Sequence, residues 1–140
     1  MKKEGCIFCK IANGEIPTYT IYEDEMFRGI LDVSPATKGH TLILPKEHCT
    51  DLFDLSKEQS LHIMEVVQKV GKKLKETFDC AGINVIQNNG EVAGQTVFHY
   101  HLHLIPRYEG DGQKISWNIT DITKEELEII HQSIVIQGII

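Results

Sequence analysis

The run His99-Tyr100-His101-Leu102-His103-Leu104-Ile105 alternates imidazoles with apolar side chains. A β-strand sends successive side chains to opposite faces, so the pattern puts His99, His101 and His103 on one face. Tyr100, Leu102 and Leu104 then share the other, which needs a core to pack against. On a helix, positions two apart spread around the axis and this segregation would be lost. One histidine on a strand is an ordinary solvated or hydrogen-bonded side chain. Three in register on one face point to a site.

The layer that covers the apolar face is also legible. Ser56 and Gln59 fit a capping box, in which the hydroxyl takes an orphan N–H of the first turn. Ile63, Val67, Val70, Leu74 and Phe78 follow at spacings of three and four and make one apolar stripe. Lys57, Glu65, Lys69, Lys72, Lys73 and Glu76 fill the solvated remainder. Gly82 lies just past the expected end, where a left-handed residue commonly stops a helix.

Shorter segments read as strands. Ile21 to Glu23 and Phe27 to Val33 form a hairpin around Asp24-Glu25. Ser34-Pro35 opens a loop to Lys38-Gly39, and His40 to Leu44 is a strand closed by Pro45. Ile83 to Gln87 is the next, turned by Asn88-Asn89-Gly90, and Pro106 stops the ladder of the histidine strand. Thr123 and Glu126 match a second capping box, predicting a last helix from about Thr123 to Ile136. Strands around one dominant helix give an α+β domain with a largely antiparallel sheet, expected as one domain over 1–140.

Composition narrows the partners. A net charge of −6 over 140 residues argues against loose binding to DNA or RNA, so an anionic ligand must be held by local donors. No apolar run approaches the ~20 residues that cross a bilayer, so no membrane partner is expected. Met1 to Gly5 carries charge with no apolar region after it, which is not a secretory signal. The four cysteines, Cys6, Cys9, Cys49 and Cys80, are therefore expected reduced, in the cytoplasm.

Cys6-x-x-Cys9 brings two thiolates within reach of one ion. A tetrahedral site would draw its other ligands from His48, Cys49 or the histidine strand. A closed set of four would be structural, and an open position would suggest chemistry at the metal. The residues alone equally fit two inert thiols.

The histidine run resembles the His-φ-His-φ-His-φ-φ motif of the histidine triad (HIT) family, where φ is apolar. Further blocks are similar: Ile30-Leu31-Asp32-Val33-Ser34-Pro35, Gly39 to His48, Asn88-Asn89-Gly90, and Gly94-Gln95-Thr96-Val97. They cover most of residues 5 to 107 in the family's order and look most like its small, zinc-containing, Hint-like bacterial branch. The segment from about 108 to 140 corresponds to its variable part.

That resemblance implies a two-layer HIT-like fold, a homodimer, and hydrolysis or transfer at the α-phosphate of a nucleotide. It implies His101 as nucleophile, with Cys6, Cys9, His48 and His99 holding a structural Zn²⁺. Asp32 would bind the ribose hydroxyls, and Asn88, Gln95 and Thr96 would lie near the phosphate with His40 and His103. Phe8, with Ile7, Ile16 and Phe27, would wall the base. Little Lys or Arg lies in these blocks, which favours a small, weakly charged substrate such as a purine nucleoside phosphoramidate. The alternatives are a dinucleoside polyphosphate hydrolase and a nucleotide-sensing binding module.

Overall fold

The structure is a computed structural model that describes residues 1–138. Five strands, β1 (Thr20–Glu23), β2 (Phe27–Leu31), β3 (Thr41–Pro45), β4 (Gly82–Ile86) and β5 (Leu102–Arg107), form one sheet in the order β1-β2-β3-β5-β4. Every neighbouring pair is antiparallel. The helices are α1 (Ile7–Ala12), α2 (Lys57–Phe78) and α3 (Lys124–Ile134). This is the expected α+β architecture, with one long helix on a largely antiparallel sheet.

The central strand β3 is buried along its whole length because helices cover both of its faces. Ile43 joins Phe27, Tyr100, Leu102 and Leu104 beneath the α2 stripe of Ile63, Val67, Val70 and Leu74. Leu42 and Leu44 point the other way and pack with Ile30 and Ala12 under α1, beside Phe8 and Ile11. Burying each such aliphatic side chain contributes about 1.5–3 kcal/mol. The period of two in the histidine run is thus used as expected: its apolar set joins the α2 core.

Both capping boxes form. Ser56 Oγ accepts from Gln59 N while Gln59 Oε1 accepts from Ser56 N, and Thr123 and Glu126 repeat the arrangement on α3. Several boundaries differ from expectation. β2 ends at Leu31, two residues early, because Asp32 turns the chain by accepting the Ser34 N–H. The residue that stops α2 is Asp79 in the left-handed region (φ 48°, ψ 43°), a conformation Asp tolerates, while Gly82 opens β4. Pro106 lies within β5 rather than ending it, opposite Ile83 of β4. There β5 no longer pairs with β3, so the missing N–H costs no bond of that ladder. Regular strand begins only at Leu102, after His99 and His101.

Helix α1 was not legible in the sequence. Six residues are too few to hold a helix alone, so packing against β3 and the Cys6 thiol cap on Cys9 N sustain it. No residue of α3 is buried. Among the described residues no helix is long and apolar enough to cross a membrane.

Candidate active site and metal centre

A cleft of about 230 Å³ opens between α1 and the sheet, on the face opposite α2. His101 and His103 look into it from β5 and its approach, Asp32 from the end of β2, and Phe8 from α1. Its floor is apolar, built by Ile11, Ile30 and Leu42. These three were missed from the sequence because an apolar residue lining a cleft has the same pattern as one in a core. Phe27, expected at the base, is instead fully buried under α2, since odd positions of β2 face that helix. Ile16 does not line the cleft, and Ile7 borders a neighbouring groove that shares Thr96 and Val97 with it.

Hydrogen bonds fix which nitrogen of each imidazole carries the proton. His101 Nδ1 lies 2.8 Å from the His99 carbonyl and must donate to it, which leaves a lone pair on Nε2. Phe8 packs edge-on against this ring, with centroids 5.1 Å apart at 89°. The Ala36 N–H donates to His40 Nδ1 at 2.9 Å, so the His40 proton sits on Nε2. That nitrogen is 2.8 Å from His103 Nδ1, and the bond runs from His40 to His103. His103 therefore keeps its own proton on Nε2.

Burial works against the charged form of His40 and His103. Burial, helped by the neighbouring His101 and His40, pushes His103 down to about 4. Burial also lowers His40, although Asp32, whose Oδ2 lies 3.7 Å from His40 Nε2, opposes it. Asp32 Oδ1 is taken by the Ser34 N–H, and Oδ2 faces the histidines.

The remaining expected contacts divide. Thr96 lines the cleft. Gln95 is buried and committed to the loop: its Oε1 accepts the Gly90 N–H, and its Nε2 donates to the carbonyls of Thr50 and Val97. Asn88 reaches the Gly94 carbonyl and does not line the cleft. Both polar groups shape the Gly90–Val97 loop that carries Thr96.

Behind the cleft, Cys6, Cys9, His48 and His99 converge, their ligand atoms all within 4.8 Å of one another. His99 Nδ1 is 3.5 Å from both sulfurs, and His48 Nδ1 is 3.4 Å from Cys9 Sγ. Metal–sulfur and metal–nitrogen bonds of zinc at a tetrahedral angle place S and N about 3.5 Å apart, so the donor set fits that ion. The second contacts agree. His99 Nε2 donates to the Pro45 carbonyl at 2.9 Å, which frees Nδ1 as a ligand. Burial holds His99 at about 4, therefore neutral, and pushes the Cys9 thiol up, a shift that a divalent cation would reverse. His48 Nε2, by contrast, is buried without a partner among the described residues. Cys49 sits apart, its sulfur on Gln59 Oε1. A second group, Asp32, His40 and His103, lies beside the cleft, with Asp32 and His103 lining it and His40 behind them, its members engaged with one another.

The α+β sheet and the three alternate histidines at its centre define a histidine-triad protein. A sequence profile described as the HIT domain matches residues 13–110, and the chain belongs to the HIT family. The structure is similar to a HIT family protein from Bacillus anthracis: 48% identity, TM-score 0.86, covering 93% of this chain and 94% of that one. A zinc-bound histidine triad family protein from Mycobacterium smegmatis is 40% identical with a TM-score of 0.73, covering 92% of each chain. The adenosine 5'-monophosphoramidase of Schizosaccharomyces pombe is 38% identical over 131 residues, 93% of this chain and 96% of that protein.

Proposed function

We propose that this enzyme hydrolyses purine nucleoside phosphoramidates at the α-phosphate through a nucleotidyl-histidine on His101, releasing a nucleoside monophosphate. The observation that carries the reading is the His101 ring itself: Nδ1 is tied to the His99 carbonyl, and Nε2 holds its lone pair in a cleft lined by Phe8, Ile11 and Leu42. A neutral imidazole so aimed is a competent nucleophile at pH 7. Attack forms a P–N bond as the amine leaves, and water then cleaves that bond and regenerates the ring.

Charge gathering on the phosphoryl oxygens needs fixed donors. His103 Nε2–H and the Thr96 hydroxyl are the candidates, while Asn88 and Gln95 act on the loop that holds Thr96. Asp32 Oδ2 is the acceptor for the ribose hydroxyls. None of the cleft-lining side chains is Lys or Arg, which supports a weakly charged phosphoramidate over a polyphosphate. The S. pombe relative's name points the same way.

Zinc is the ion we assign to Cys6, Cys9, His48 and His99, with His99 held neutral and oriented one residue-pair before His101. When bound it supplies a structural cross-link between the N-terminal segment and the approach to β5. The reading includes one HIT-like domain with a variable C-terminal segment, working in the reducing cytoplasm that four free cysteines suit. It also includes a homodimer, supported by exposed Leu61 and Met64 on α2 and Val85 on the edge strand β4.

Turnover of adenosine phosphoramidate, guanosine phosphoramidate and diadenosine tetraphosphate, measured side by side with products identified, tests the substrate. A preference for the tetraphosphate would replace our reading with the polyphosphate hydrolase. Nucleotide binding without turnover would replace it with a sensor.

A further inference from the structure

The loop that ends at His40 is held from outside by the end of β5 and the segment that follows it. Three consecutive residues are tied. The Ala36 carbonyl accepts from Gln113 Nε2 at 2.9 Å, Thr37 Oγ1 donates to the Pro106 carbonyl at 2.5 Å, and the Lys38 carbonyl accepts from Tyr108 Oη at 2.6 Å. The holding segment is itself braced. Arg107 pairs with both carboxylate oxygens of Asp111 through Nε and Nη2, and donates from Nη2 to the Gln113 carbonyl and from Nη1 to Asn84 Oδ1 on β4. Asp111 in turn accepts the N–H groups of Tyr108 and Gln113.

What the loop delivers is the Ala36 N–H, the donor that keeps the His40 proton on Nε2. Two neutral imidazoles in contact share one proton between them and can run in either direction. In the observed direction His103 presents an N–H at Nε2. In the reverse direction His40 would carry its proton on Nδ1, His103 would donate from Nδ1, and His103 Nε2 would present a lone pair instead. A lone pair facing a phosphoryl oxygen is repulsive where an N–H is stabilising.

We propose that the Arg107–Asp111–Gln113 brace, with Tyr108, is a positioning device that holds the His40–His103 pair in a single proton direction. Arg107 and Tyr108 lie within the 13–110 stretch that matches the HIT domain and Asp111 and Gln113 lie beyond it, so residues outside the matched stretch share in setting the polarity of the histidines. These residues touch no substrate; they act through Ala36 and His40. The consequence for turnover rests on the proposed role of His103 at the phosphate, whereas the proton direction does not.

The test uses the full chain with ¹⁵N-labelled histidine. Two-bond ¹H–¹⁵N correlations report which nitrogen of His40 and of His103 is protonated, without any substrate. Wild type is expected to show Nε2–H for both. The Tyr108→Phe/Gln113→Ala double variant is expected to show a mixture of the two directions. Gln113→Arg, which keeps an N–H donor of sufficient reach, is expected to restore one direction in the Tyr108→Phe background. Gln113 is exposed, and circular dichroism establishes that each variant is folded. Adenosine phosphoramidate turnover should fall about three- to tenfold in kcat in the double variant, the scale of one hydrogen bond, with KM little changed. Unaltered Nε2 protonation of both rings in the double variant overturns the proposal. Mixed protonation with unchanged kcat upholds it and instead removes His103 from the chemistry.

Discussion

His40 Nε2 meets His103 Nδ1 at 2.8 Å, adding a side-chain link between the residue before β3 and the start of β5 to the ladder that already pairs these strands. The two rings come from positions 63 residues apart in the chain. Their contact makes the cleft one electrostatic unit, because Ala36, His40, His103 and Asp32 respond to any change in one of them.

His101→Asn removes the proposed nucleophile while keeping a polar side chain. Turnover of adenosine phosphoramidate should fall by at least about 10³-fold, a modest value for loss of a nucleophile. Acid quenching of wild type with labelled substrate should trap nucleotide on the protein, and the variant should trap none. Retained turnover in pure variant protein would remove His101 from its role.

Cys6→Ser should lower the zinc content of purified protein, read by elemental analysis, and lower its thermal midpoint. The same is expected of chelation. On the proposed structural role of the ion, the midpoint should fall further than the turnover of the fraction that remains folded, when both are followed against chelator concentration. Full retention of fold with loss of turnover would contradict this.

The turn of the β1–β2 hairpin is tied to α2 by His62. Its Nε2 lies 2.7 Å from Asp24 Oδ2 and its Nδ1 lies 3.0 Å from Glu65 Oε2, so both nitrogens donate when the ring is protonated. The Asp24 bond raises His62 above its ordinary 6.5. Against the cost of burial, hydrogen bonds from Tyr22, His62 and the N–H groups of Phe27 and Met26 hold Asp24 at about 2, below its ordinary 3.8. The raised histidine contributes fully below pH 6.5 and loses its contribution as pH rises through the folded value. The lowered aspartate contributes fully above pH 3.8 and loses it as pH falls toward 2. The pair should therefore stabilise most between these limits. Urea midpoints of wild type and His62→Gln should differ most at about pH 5 and converge by about pH 9. A gap that widens above pH 7 would contradict the assignment.

Gly39→Ala should be costly for two reasons. Gly39 holds φ +88°, and an added Cβ would lie 2.8 Å and 2.9 Å from carbons of the Phe78 ring. The backbone term alone is about 1–3 kcal/mol. Chemical denaturation should show at least that loss. Since Gly39 precedes His40, phosphoramidate turnover of the folded fraction should fall as well.

Asp32→Asn keeps the size of the side chain but replaces one acceptor oxygen by a donor. Discrimination between adenosine and 2'-deoxyadenosine phosphoramidates, as the ratio of kcat/KM values, should shrink by about tenfold or more, the scale of a charged hydrogen bond. An unchanged ratio would place the ribose elsewhere.

The sequence by itself determined the elements that local chemistry controls. Alternation fixed which side of the histidine run meets α2, and the Ser56–Gln59 and Thr123–Glu126 pairs fixed where two helices begin. The resemblance of the His40 and His101 blocks to one family implied that His40, His101 and His103 share a site. Tertiary structure alone decided the rest. It made a helix of residues 7–12, whose period is too short to read, and sent Phe27 to the far face from Phe8. It turned Gln95 onto its own loop and placed Gln113 against Ala36. It also chose the protonated nitrogen on each ring, because a tautomer follows from the partner of the opposite nitrogen. Those partners, such as Ala36 for His40 and Pro45 for His99, are brought to the ring by the packing of segments that no local pattern aligns.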